Sequence, residues 1–367
     1  MNILLLSNHL NTGGITSYLL SLAKGLKKAG HQVYVASSGG NSLTKFTEQG
    51  IIFISIPIRT KSEINIFRLL PSFMILRRHC REKNITVIHA NTRVTQVLAC
   101  LVSAGTGIPF VSTCHGFFKN RLFRRLAPCW GSRVIAISES VRSHCVDDLG
   151  LKDSRVSVVY SGIDSEGLRL PVKVNRAELR EKYCPGLAGP LVSVVARLSA
   201  EKGHPFLIRA MKAVSARVPG IRLLIVGDGK TAGALKALVS ELGLEKTIVF
   251  VPVVAAIREI YYISDICVLP SLQEGLGLGL MEAMAWGKPV IGSAVGGIKN
   301  LIRDGENGLL VRPADPDGLA AAILELLERP DRAATMGNNA RLFIEKQFPL
   351  ENMVRGTEEV YRQCVSN

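Results

Sequence analysis

The 367-residue sequence contains no uninterrupted apolar run of about 18–20 residues, which argues against a transmembrane helix. Its first residues lack a basic segment and become polar after five apolar residues, unlike a signal peptide. None of the eight cysteines forms a CxxC pair, and zinc-ligand spacing is absent. These absences make a disulfide framework implausible and predict a reducing, cytoplasmic compartment.

Acidic residues are scarce in the first half of the chain. Residues 1–170 contain 21 Lys and Arg against nine Asp and Glu, whereas residues 171–367 contain 24 against 21. The surplus predicts an anionic partner for the first half, either a membrane surface, a phosphorylated acceptor or nucleic acid. Nucleic acid is disfavoured, because no RNP, helix-turn-helix or zinc motif is present and the basic residues adjoin Phe and Leu.

Short apolar runs alternate with helical stretches along the whole chain. Hydrophobic residues form 47% of the sequence and charged residues 20%, which excludes a disordered chain. Near-continuous apolar strands separated by helices are typical of parallel sheets covered on both faces. Two such series, joined near residues 165–174, predict an α/β fold with two doubly wound Rossmann-like domains. The predicted strands are residues 2–7, 32–37, 51–56, 86–90, 109–114, 133–138 and 155–160, then 191–196, 221–227, 247–251, 266–270, 289–293 and 308–313.

Ligands of open parallel sheets bind at the carboxyl ends of the strands, where the first domain offers two candidates. Gly13 and Gly14 open a helix after the first strand, and free backbone N–H groups there favour an anion. A plain strand-to-helix turn is the alternative. His115 follows the strand at 109–114, where an imidazole can donate to or polarise a substrate hydroxyl near neutral pH. A structural histidine is the alternative.

Cations and carboxylates follow the strands of the second domain. Arg197 and Lys202 share one loop and can clamp a diphosphate, since Arg supplies a planar fork and Lys a point charge. Two solvated loop cations are the alternative. Glu274 and Glu282 flank a glycine-rich turn, and carboxylates accept hydrogen bonds from hydroxyls but reject phosphate. A sugar and a ribose are therefore their natural partners.

Two pairs of acidic residues could be considered as metal ligands, and neither is interpreted as a metal site. Asp315 and Asp317 form Asp-x-Asp, but they precede a helical segment and are interpreted as a turn and an N-cap. Asp147 and Asp148 lie at a helix end with no partner in view. The segment 226–233, VGDGKTAG, satisfies neither the P-loop nor the Rossmann spacing and is interpreted as a strand-end turn lining the site. We expect no metal ion and no other cofactor.

Together these segments resemble the family 4 glycosyltransferases, which are retaining enzymes of the GT-B fold. The resemblance covers almost the whole chain, and its motifs are the GG loop at Gly13, HGF at His115, ARLSAEKG with Arg197 and Lys202, Glu-x7-Glu from Glu274, and GLLVRPADPDGLAAAI. It implies GT-B architecture, in which two Rossmann-like domains face a central cleft. The sequence departs from residues common in the family at Ser161, Leu276 and Asn300.

The resemblance also implies a domain organisation and residue roles. Residues 1–168 form the acceptor domain, 169–345 the nucleotide-sugar domain, and 346–367 a C-terminal helix packing back toward the first domain. The implied catalytic residues are His115, Glu274, Arg197 and Lys202. The implied donor-binding residues are Gly13, Gly14, Arg197, Lys202, Glu274, Leu276, Gly277, Leu278 and Glu282. In these roles the two cations hold the diphosphate, Glu282 contacts the ribose, and Glu274 and His115 contact the donor sugar.

The implied reaction is sugar transfer from a nucleoside diphosphate donor to an acceptor hydroxyl by a front-face mechanism. A UDP-sugar is favoured as donor, with GDP-mannose as the second choice. Two alternatives stay open: a GT-B nucleotide-sugar epimerase, and a catalytically degenerate partner subunit.

Basic and apolar residues are interleaved in two segments of the first domain, residues 63–83 and 117–126. This mixture suits an anionic membrane interface, although a core-facing helix with a solvated basic face explains 63–83 equally well. The second segment directly follows His115, and we assign its side chains to the membrane and acceptor side: Phe117, Phe118, Lys119, Arg121, Arg124 and Arg125. The sequence thus predicts a peripheral protein on the inner face of the cytoplasmic membrane, with a lipid-linked or lipopolysaccharide-type acceptor.

Overall fold

The structure of the protein, a computed structural model, describes residues 1–58, 66–118, 128–164, 167, 174–252 and 257–365. The chain divides into two compact units. The first unit comprises Met1–Gly162 and Leu350–Asn367, and the second comprises Ile163–Pro349. The chain thus passes from the first unit to the second after residue 162 and returns to the first after residue 349. The sequence analysis places these two boundaries after residues 168 and 345.

Each unit is built on one parallel sheet. The first sheet has seven strands in the order β3-β2-β1-β4-β5-β6-β7, and the second has six in the order β10-β9-β8-β11-β12-β13. The prediction of two doubly wound α/β domains is confirmed, since every predicted apolar run contains one of these strands. The strands are β1 Asn2–Leu6, β2 Gln32–Ser37, β3 Ile52–Ser55, β4 Val87–Ala90, β5 Phe110–Cys114, β6 Arg133–Ala136, β7 Val156–Val158, β8 Leu191–Val195, β9 Arg222–Val226, β10 Ile248–Val251, β11 Ile266–Leu269, β12 Val290–Ser293 and β13 Leu309–Val311.

Within the described residues, helices cover the sheets and connect the successive strands other than β5 and β6, as parallel pairing requires. Short 3-10 turns at Ile66–Leu69, Asp153–Arg155 and Ala200–Lys202 and a π-helical turn at His144–Asp148 supplement them. The α-helices are α1 Gly14–Lys28, α2 Leu43–Glu48, α3 Leu70–Glu82, α4 Arg93–Thr106, α5 Glu139–Ser143, α6 Arg176–Tyr183, α7 His204–Arg217, α8 Ala232–Glu241, α9 Ile257–Ile263, α10 Leu278–Ala285, α11 Ile298–Leu301, α12 Pro316–Glu328, α13 Pro330–Gln347 and α14 Leu350–Val365.

The strand order reverses beside β1 in the first sheet and beside β8 in the second. A reversal of this kind opens a crevice outside the carboxyl ends of the central strands, because the helices that follow them pass to opposite faces. Gly13 follows β1 and His115 follows β5, while Arg197 follows β8 and Glu274 follows β11. The topology therefore brings the candidate residues of each unit to the carboxyl edge of its own sheet.

The C-terminal helix α14 packs within the first unit. Its apolar face is buried, and Tyr361 is 0% exposed. A Cβ built on Gly25 of α1 would lie 2.3 Å from Val354 Cγ2, so α1 and α14 approach too closely for a larger residue at position 25. Glu358 of α14 also accepts a 2.6 Å hydrogen bond from His31 Nε2. Phe348 and Pro349 separate α14 from the preceding helix, since α13 ends at Gln347 and α14 begins at Leu350.

Candidate active site

In the second unit, the loop that follows β8 packs against the loop that follows β11. The backbone N–H of Leu272 donates to the carbonyl oxygen of Glu201 over 2.8 Å. Gly203 has a φ of +68°, and a Cβ there would lie 1.9 Å from Pro270 O. Only glycine allows this approach, because the backbone of the second loop occupies the place of a side chain. The close approach sets Lys202 beside the loop that carries Glu274.

Lys202 and Glu274 form an ion pair at this junction. The Lys202 ammonium donates to Glu274 Oε2 over 2.5 Å, and Ser271 Oγ donates to the same oxygen over 3.1 Å. The two ionic side chains are only 20% and 11% exposed, so solvent screens the pair weakly. Ser271 was missed by the sequence analysis, although its place two residues beyond β11 is a strand-end signal.

The turn after β12 supports Glu274 from the other side. Gly297 N donates to Glu274 O over 3.1 Å, and Gly296 has a φ of +46° with its Cβ position only 1.9 Å from the same carbonyl oxygen. The GG turn is therefore a packing requirement of the loop that holds Glu274. Asn300 lies on α11 just beyond it, and its buried Oδ1 accepts no hydrogen bond from any described residue.

Glu274 is followed by the glycine-rich start of α10. Gly277 is the N-cap of this helix in the left-handed conformation, and the helix begins at Leu278. The first backbone N–H groups of a helix lack partners within it and present partial positive charge. Leu276 is buried, so it offers this edge its backbone rather than its side chain. The start of α10 can therefore receive an anionic or hydroxyl-rich group.

Glu282 lies one turn further along α10 and is held by a tyrosine. Tyr261 Oη donates to Glu282 Oε2 over 2.8 Å, and Tyr261 is 1% exposed. Burial raises the pKa of the Glu282 carboxyl group, while the hydrogen bond from Tyr261 partly opposes that rise. The sequence analysis did not find Tyr261, because it belongs to α9 and carries no strand-end signal.

Arg197 differs from Lys202 in its surroundings. It lies two residues beyond the end of β8, its side chain is exposed, and it forms no ion pair with another residue in the described part of the chain. The two cations thus share one loop, and they present one exposed guanidinium and one ammonium that is already held by a carboxylate.

His115 lies at the end of β5 in the first unit. Its Nε2 donates to Asn91 Oδ1 over 3.1 Å, and Asn91 Nδ2 in turn donates to His89 O, which orients the amide. The Tyr18 ring packs edge-on at 4.7 Å between centroids. Burial lowers the pKa of His115 to about 3, so the imidazole is neutral near pH 7. With its proton on Nε2, His115 offers Nδ1 as an acceptor rather than a donor.

A second buried histidine lies on the neighbouring strand. His89 is 0% exposed and has both ring nitrogens within 2.6 Å of a hydroxyl, Nδ1 at Tyr361 Oη and Nε2 at Thr113 Oγ1. Burial lowers the pKa of His89 to about 3, with a smaller contribution from the charge of His115. Tyr361 connects α14 to this network, so the C-terminal helix closes the core next to the strand that carries His115.

The buried histidines make the stability of the first unit dependent on pH. The unfolded chain binds protons at His89 near its ordinary pKa of 6.5, whereas the folded protein binds them only near pH 3. The free energy of unfolding should therefore fall as pH drops below 6.5, by about 1 kcal/mol per pH unit for each such histidine. Chemical denaturation of the His89→Gln variant between pH 7 and 5 should show a shallower fall than the parent. The control variant is His9→Gln, which removes an exposed histidine instead of a buried one. An equal dependence of the free energy of unfolding on pH in the parent and His89→Gln proteins would contradict the prediction.

Two aromatic residues assigned to the membrane and acceptor side, Phe117 and Phe118, follow His115 and are half-buried. The Phe117 ring packs 5.3 Å from the ring of His144, and Phe118 N donates to His144 Nε2 over 2.9 Å. The predicted basic partners lie outside the described residues: Lys119, Arg121, Arg124 and Arg125.

Gly13 and Gly14 form the start of α1, with Gly13 as the N-cap. Both are exposed, and Gly13 has an extended φ of 161°, which any residue adopts. A Cβ built on Gly13 meets only Asn11 O, at 4.0 Å. The packing of the unit therefore gives no reason for glycine at position 13 and leaves open space above this turn.

The acidic pairs have structural roles. The predicted N-cap is confirmed, because Asp315 Oδ1 accepts a 2.8 Å hydrogen bond from Gly318 N at the start of α12. The expectation that Asp148 has no partner is wrong, since His144 Nδ1 donates to Asp148 Oδ2 over 2.6 Å. Across the described ranges, no group of three or more His, Cys, Asp or Glu side chains could hold a metal ion.

Two Rossmann-like units, each with its candidate residues at the carboxyl edge of a parallel sheet, are the architecture of the GT-B class of glycosyltransferases. Residues 12–166 match the family model "Glycosyltransferase Family 4", and residues 175–343 match "Glycosyl transferases group 1". The chain belongs to glycosyltransferase family 4 and is a transferase.

Proteins with similar sequences and structures agree with this family. The N-acetyl-alpha-D-glucosaminyl L-malate synthase of Bacillus anthracis is 26% identical, over 96% of this chain and 94% of the relative. The D-inositol 3-phosphate glycosyltransferase of Rhodococcus jostii is 26% identical, over 97% and 86%. The crystal structure of Anabaena HepE in complex with UDP and glucose is similar with a TM-score of 0.87 and 25% identity, covering 99% of each chain.

Proposed function

We propose that the protein is a retaining glycosyltransferase that transfers a sugar from a nucleoside diphosphate sugar to a hydroxyl group of a lipid-linked or cell-envelope glycan. A UDP-sugar is the favoured donor and GDP-mannose the second choice. The observation that carries the proposal is the convergence of Lys202, Glu274 and the start of α10 at one edge of the second sheet. Anabaena HepE, which was solved with UDP and glucose and with UDP-glucose, supports the choice of UDP.

In this proposal Arg197 and Lys202 hold the diphosphate. An ammonium has three N–H donors, so Lys202 can keep its bond to Glu274 and still donate to a phosphate oxygen. The exposed guanidinium of Arg197 adds a planar pair of donors. The backbone of Leu276, Gly277 and Leu278 lines the sugar and phosphate, because the start of α10 presents its N–H groups there. Gly13 and Gly14 supply a similar helix start from the first unit, with open space above Gly13.

The two carboxylates bind different parts of the donor, Glu282 the ribose and Glu274 the sugar. Tyr261 occupies Oε2 of Glu282, which leaves Oε1 to accept a hydrogen bond from a ribose hydroxyl. Glu274 accepts from the donor sugar while Lys202 and Ser271 fix its orientation. Neutral His115 accepts a further sugar hydroxyl at Nδ1, a role that does not require the imidazole to be protonated.

The chemistry is a front-face displacement. The bond from the anomeric carbon to the diphosphate oxygen breaks as the acceptor oxygen bonds to the same face of that carbon. The acceptor proton passes to an oxygen of the leaving diphosphate. Arg197 and Lys202 stabilise the charge that grows on this leaving group, and preorganised charges of this kind act most strongly where solvent is restricted. Glu274 is assigned to binding and not to nucleophilic attack, and its carboxylate forms an ion pair with Lys202.

A small anionic acceptor is the second candidate. The relatives from Bacillus anthracis and Rhodococcus jostii are named for L-malate and D-inositol 3-phosphate. Both acceptors carry negative charge, and the basic surplus of residues 1–170 would attract such a molecule. Parallel assays with lipid-linked glycans and with small anionic hydroxy compounds distinguish the two acceptor classes.

Donor choice is tested by calorimetry and thermal unfolding with UDP-, GDP- and ADP-sugars. A ligand at 100 times its Kd stabilises the folded state by about 2.7 kcal/mol, which corresponds to roughly 5–10 °C in Tm for a unit of this size. We expect UDP-sugars to produce the largest shift. A larger shift with GDP-mannose or an ADP-sugar would contradict the UDP assignment.

Product analysis separates the transferase from its alternatives. Transfer should require an acceptor and leave free UDP. Formation of an isomeric nucleotide sugar without acceptor would identify an epimerase. Tight donor binding with no turnover on any acceptor would identify a degenerate partner subunit.

A further inference from the structure

Helix α3 and the 3-10 turn Ile66–Leu69 that leads into it carry apolar side chains on the face that points away from the core. The inner face of α3 packs into the first unit, where Leu76 is 0% exposed and Cys80 is 1% exposed. On the opposite side Phe67 is 90%, Leu70 55% and Met74 56% exposed. A surface helix normally presents polar residues to solvent, so three large apolar side chains in that position require an explanation.

These apolar residues and two arginines share one stripe of the helix surface. Spacings of three and four residues return to the same face of a helix. Leu70, Met74, Arg78 and Arg81 follow this spacing along α3, and Phe67 precedes Leu70 by three residues in the 3-10 turn, where residues three apart also share a face. We call these five residues the outer face of α3. The apolar part lies at the start of the helix and the basic part at its end.

The exposed apolar side chains are concentrated on this face. Three of the seven large hydrophobic residues that are exposed in the described part of the chain fall within its first eight positions. Residues 66–83 also contain five Lys and Arg but only one acidic residue, Glu82, which pairs with Arg78 over 2.6 Å. The face thus combines apolar contact with a net positive charge.

An anionic lipid surface matches this combination better than other occupants. A second copy docked by the same face would bring two sets of these cations together, and like charges oppose that contact. The phosphate backbone of a nucleic acid attracts the cations, but it presents no apolar surface to Phe67, Leu70 and Met74. Interfacial helices bury aromatic and aliphatic side chains at the headgroup boundary while Lys and Arg attract anionic lipids.

We infer that the outer face of α3 docks the first unit on an anionic membrane surface. Because α3 leads from β3 into the parallel strand β4, its first turn lies at the carboxyl edge of the sheet, the edge at which His115 follows β5. Docking there brings the acceptor side of the unit to the lipid surface. The inference deepens the proposed function by naming where a lipid-linked acceptor is met, but the docking itself depends on neither donor nor acceptor.

None of the described helices is both long enough and apolar enough to span a bilayer. The docking is therefore proposed as a surface contact, with the three apolar side chains reaching the headgroup boundary. Its strength should depend on ionic strength, because the attraction of the cations to anionic headgroups is screened by salt.

Vesicle sedimentation tests the inference on the full chain. Vesicles of phosphatidylcholine alone are compared, at low and at high salt, with vesicles in which about one lipid in three is the anionic phosphatidylglycerol. The parent protein should bind only the anionic vesicles and should dissociate in high salt. Apparent affinity should fall by about tenfold or more in Phe67→Ser/Leu70→Ser/Met74→Ser, and likewise in Arg78→Gln/Arg81→Gln.

Matched variants on the second unit separate this face from general charge and hydrophobicity. Leu342→Ser removes an apolar side chain that is 51% exposed, and Arg217→Gln/Arg329→Gln removes two cations that are 65% and 64% exposed. Both should bind vesicles like the parent. All variants are compared for Tm and UDP affinity, so that a folding defect or a failed donor assignment is recognised separately.

The outcomes are decisive for the docking face. Loss of vesicle binding in the α3 variants, with unchanged Tm and UDP affinity, supports it. A parent protein that ignores anionic vesicles at low salt overturns it, and so does parent-like binding by both α3 variants. Capture of an acidic protein by the parent but not by the α3 variants, without lipid binding, overturns the membrane assignment in favour of a protein partner.

Discussion

Replacing Arg197 or Lys202 by alanine should lower kcat by about 100- to 1,000-fold while donor KM rises far less. Negative charge on the diphosphate increases as the bond to the sugar breaks, so cations at this position bind the transition state more tightly than the donor. The loss should be deeper for Lys202→Ala, because that change also leaves the Glu274 carboxylate, which is only 11% exposed, without its cation. Initial rates over a range of donor concentrations measure both parameters.

Two comparisons keep this prediction specific. Lys246→Ala removes an exposed cation just before β10, at the opposite edge of the same sheet, and should leave kcat and KM near the parent values. The double variant Lys202→Ala/Glu274→Ala removes both halves of the ion pair and separates the loss of the cation from the unpaired carboxylate. Unchanged kcat in both Arg197→Ala and Lys202→Ala would exclude the diphosphate assignment.

Glu274→Ala and Glu282→Ala should fail in different ways. Loss of the ribose contact in Glu282→Ala should weaken binding of free UDP by about 10- to 100-fold, the usual range for a hydrogen bond to a charged group. Glu274→Ala should instead reduce discrimination between donor sugars. Its affinity for free UDP should hold or rise, because the change frees Lys202 from a competing carboxylate. Calorimetry with UDP and rates with several UDP-sugars measure the two effects.

The tyrosine that holds Glu282 provides the internal control for this pair. Tyr261→Phe removes only the hydroxyl that donates to Glu282 and should weaken UDP binding less than Glu282→Ala does. Glu274→Gln keeps the size of the side chain and its ability to accept from a sugar hydroxyl, so it should retain part of the discrimination that Glu274→Ala loses. An equal fall in UDP affinity for Glu274→Ala and Glu282→Ala would contradict the assigned roles.

The pattern of apolar runs was sufficient to predict the thirteen strands of the described residues, because a strand buried on both faces must be apolar along its whole length. The sequence also indicated that the informative residues follow the strands, since parallel strands leave their carboxyl ends at one edge of a sheet. Asp315 could be interpreted correctly as an N-cap because capping depends on local geometry alone.

Contacts between distant residues required the tertiary structure. Lys202 and Glu274 are 72 positions apart, and Tyr261 and Glu282 are 21 apart, so no local spacing predicts either hydrogen bond. The partner of His89 in the C-terminal helix, Tyr361, is 272 positions away. The sequence could name the residues at each strand end, but only the order of the strands and the close approach of their loops decided which side chains meet.

The exposure of side chains to solvent also required the tertiary structure. Residues 63–83 and 117–126 look alike in sequence, since both interleave basic and apolar residues. The structure half-buries Phe117 and Phe118 against their own unit, whereas it leaves Phe67 90% exposed. Composition establishes that a segment has both kinds of side chain, but which of them faces the core depends on the helices and strands packed against it. For this protein the sequence alone determined the family, the sheets and the strand-end residues, and the packing decided the partners of those residues and which apolar face stays in solvent.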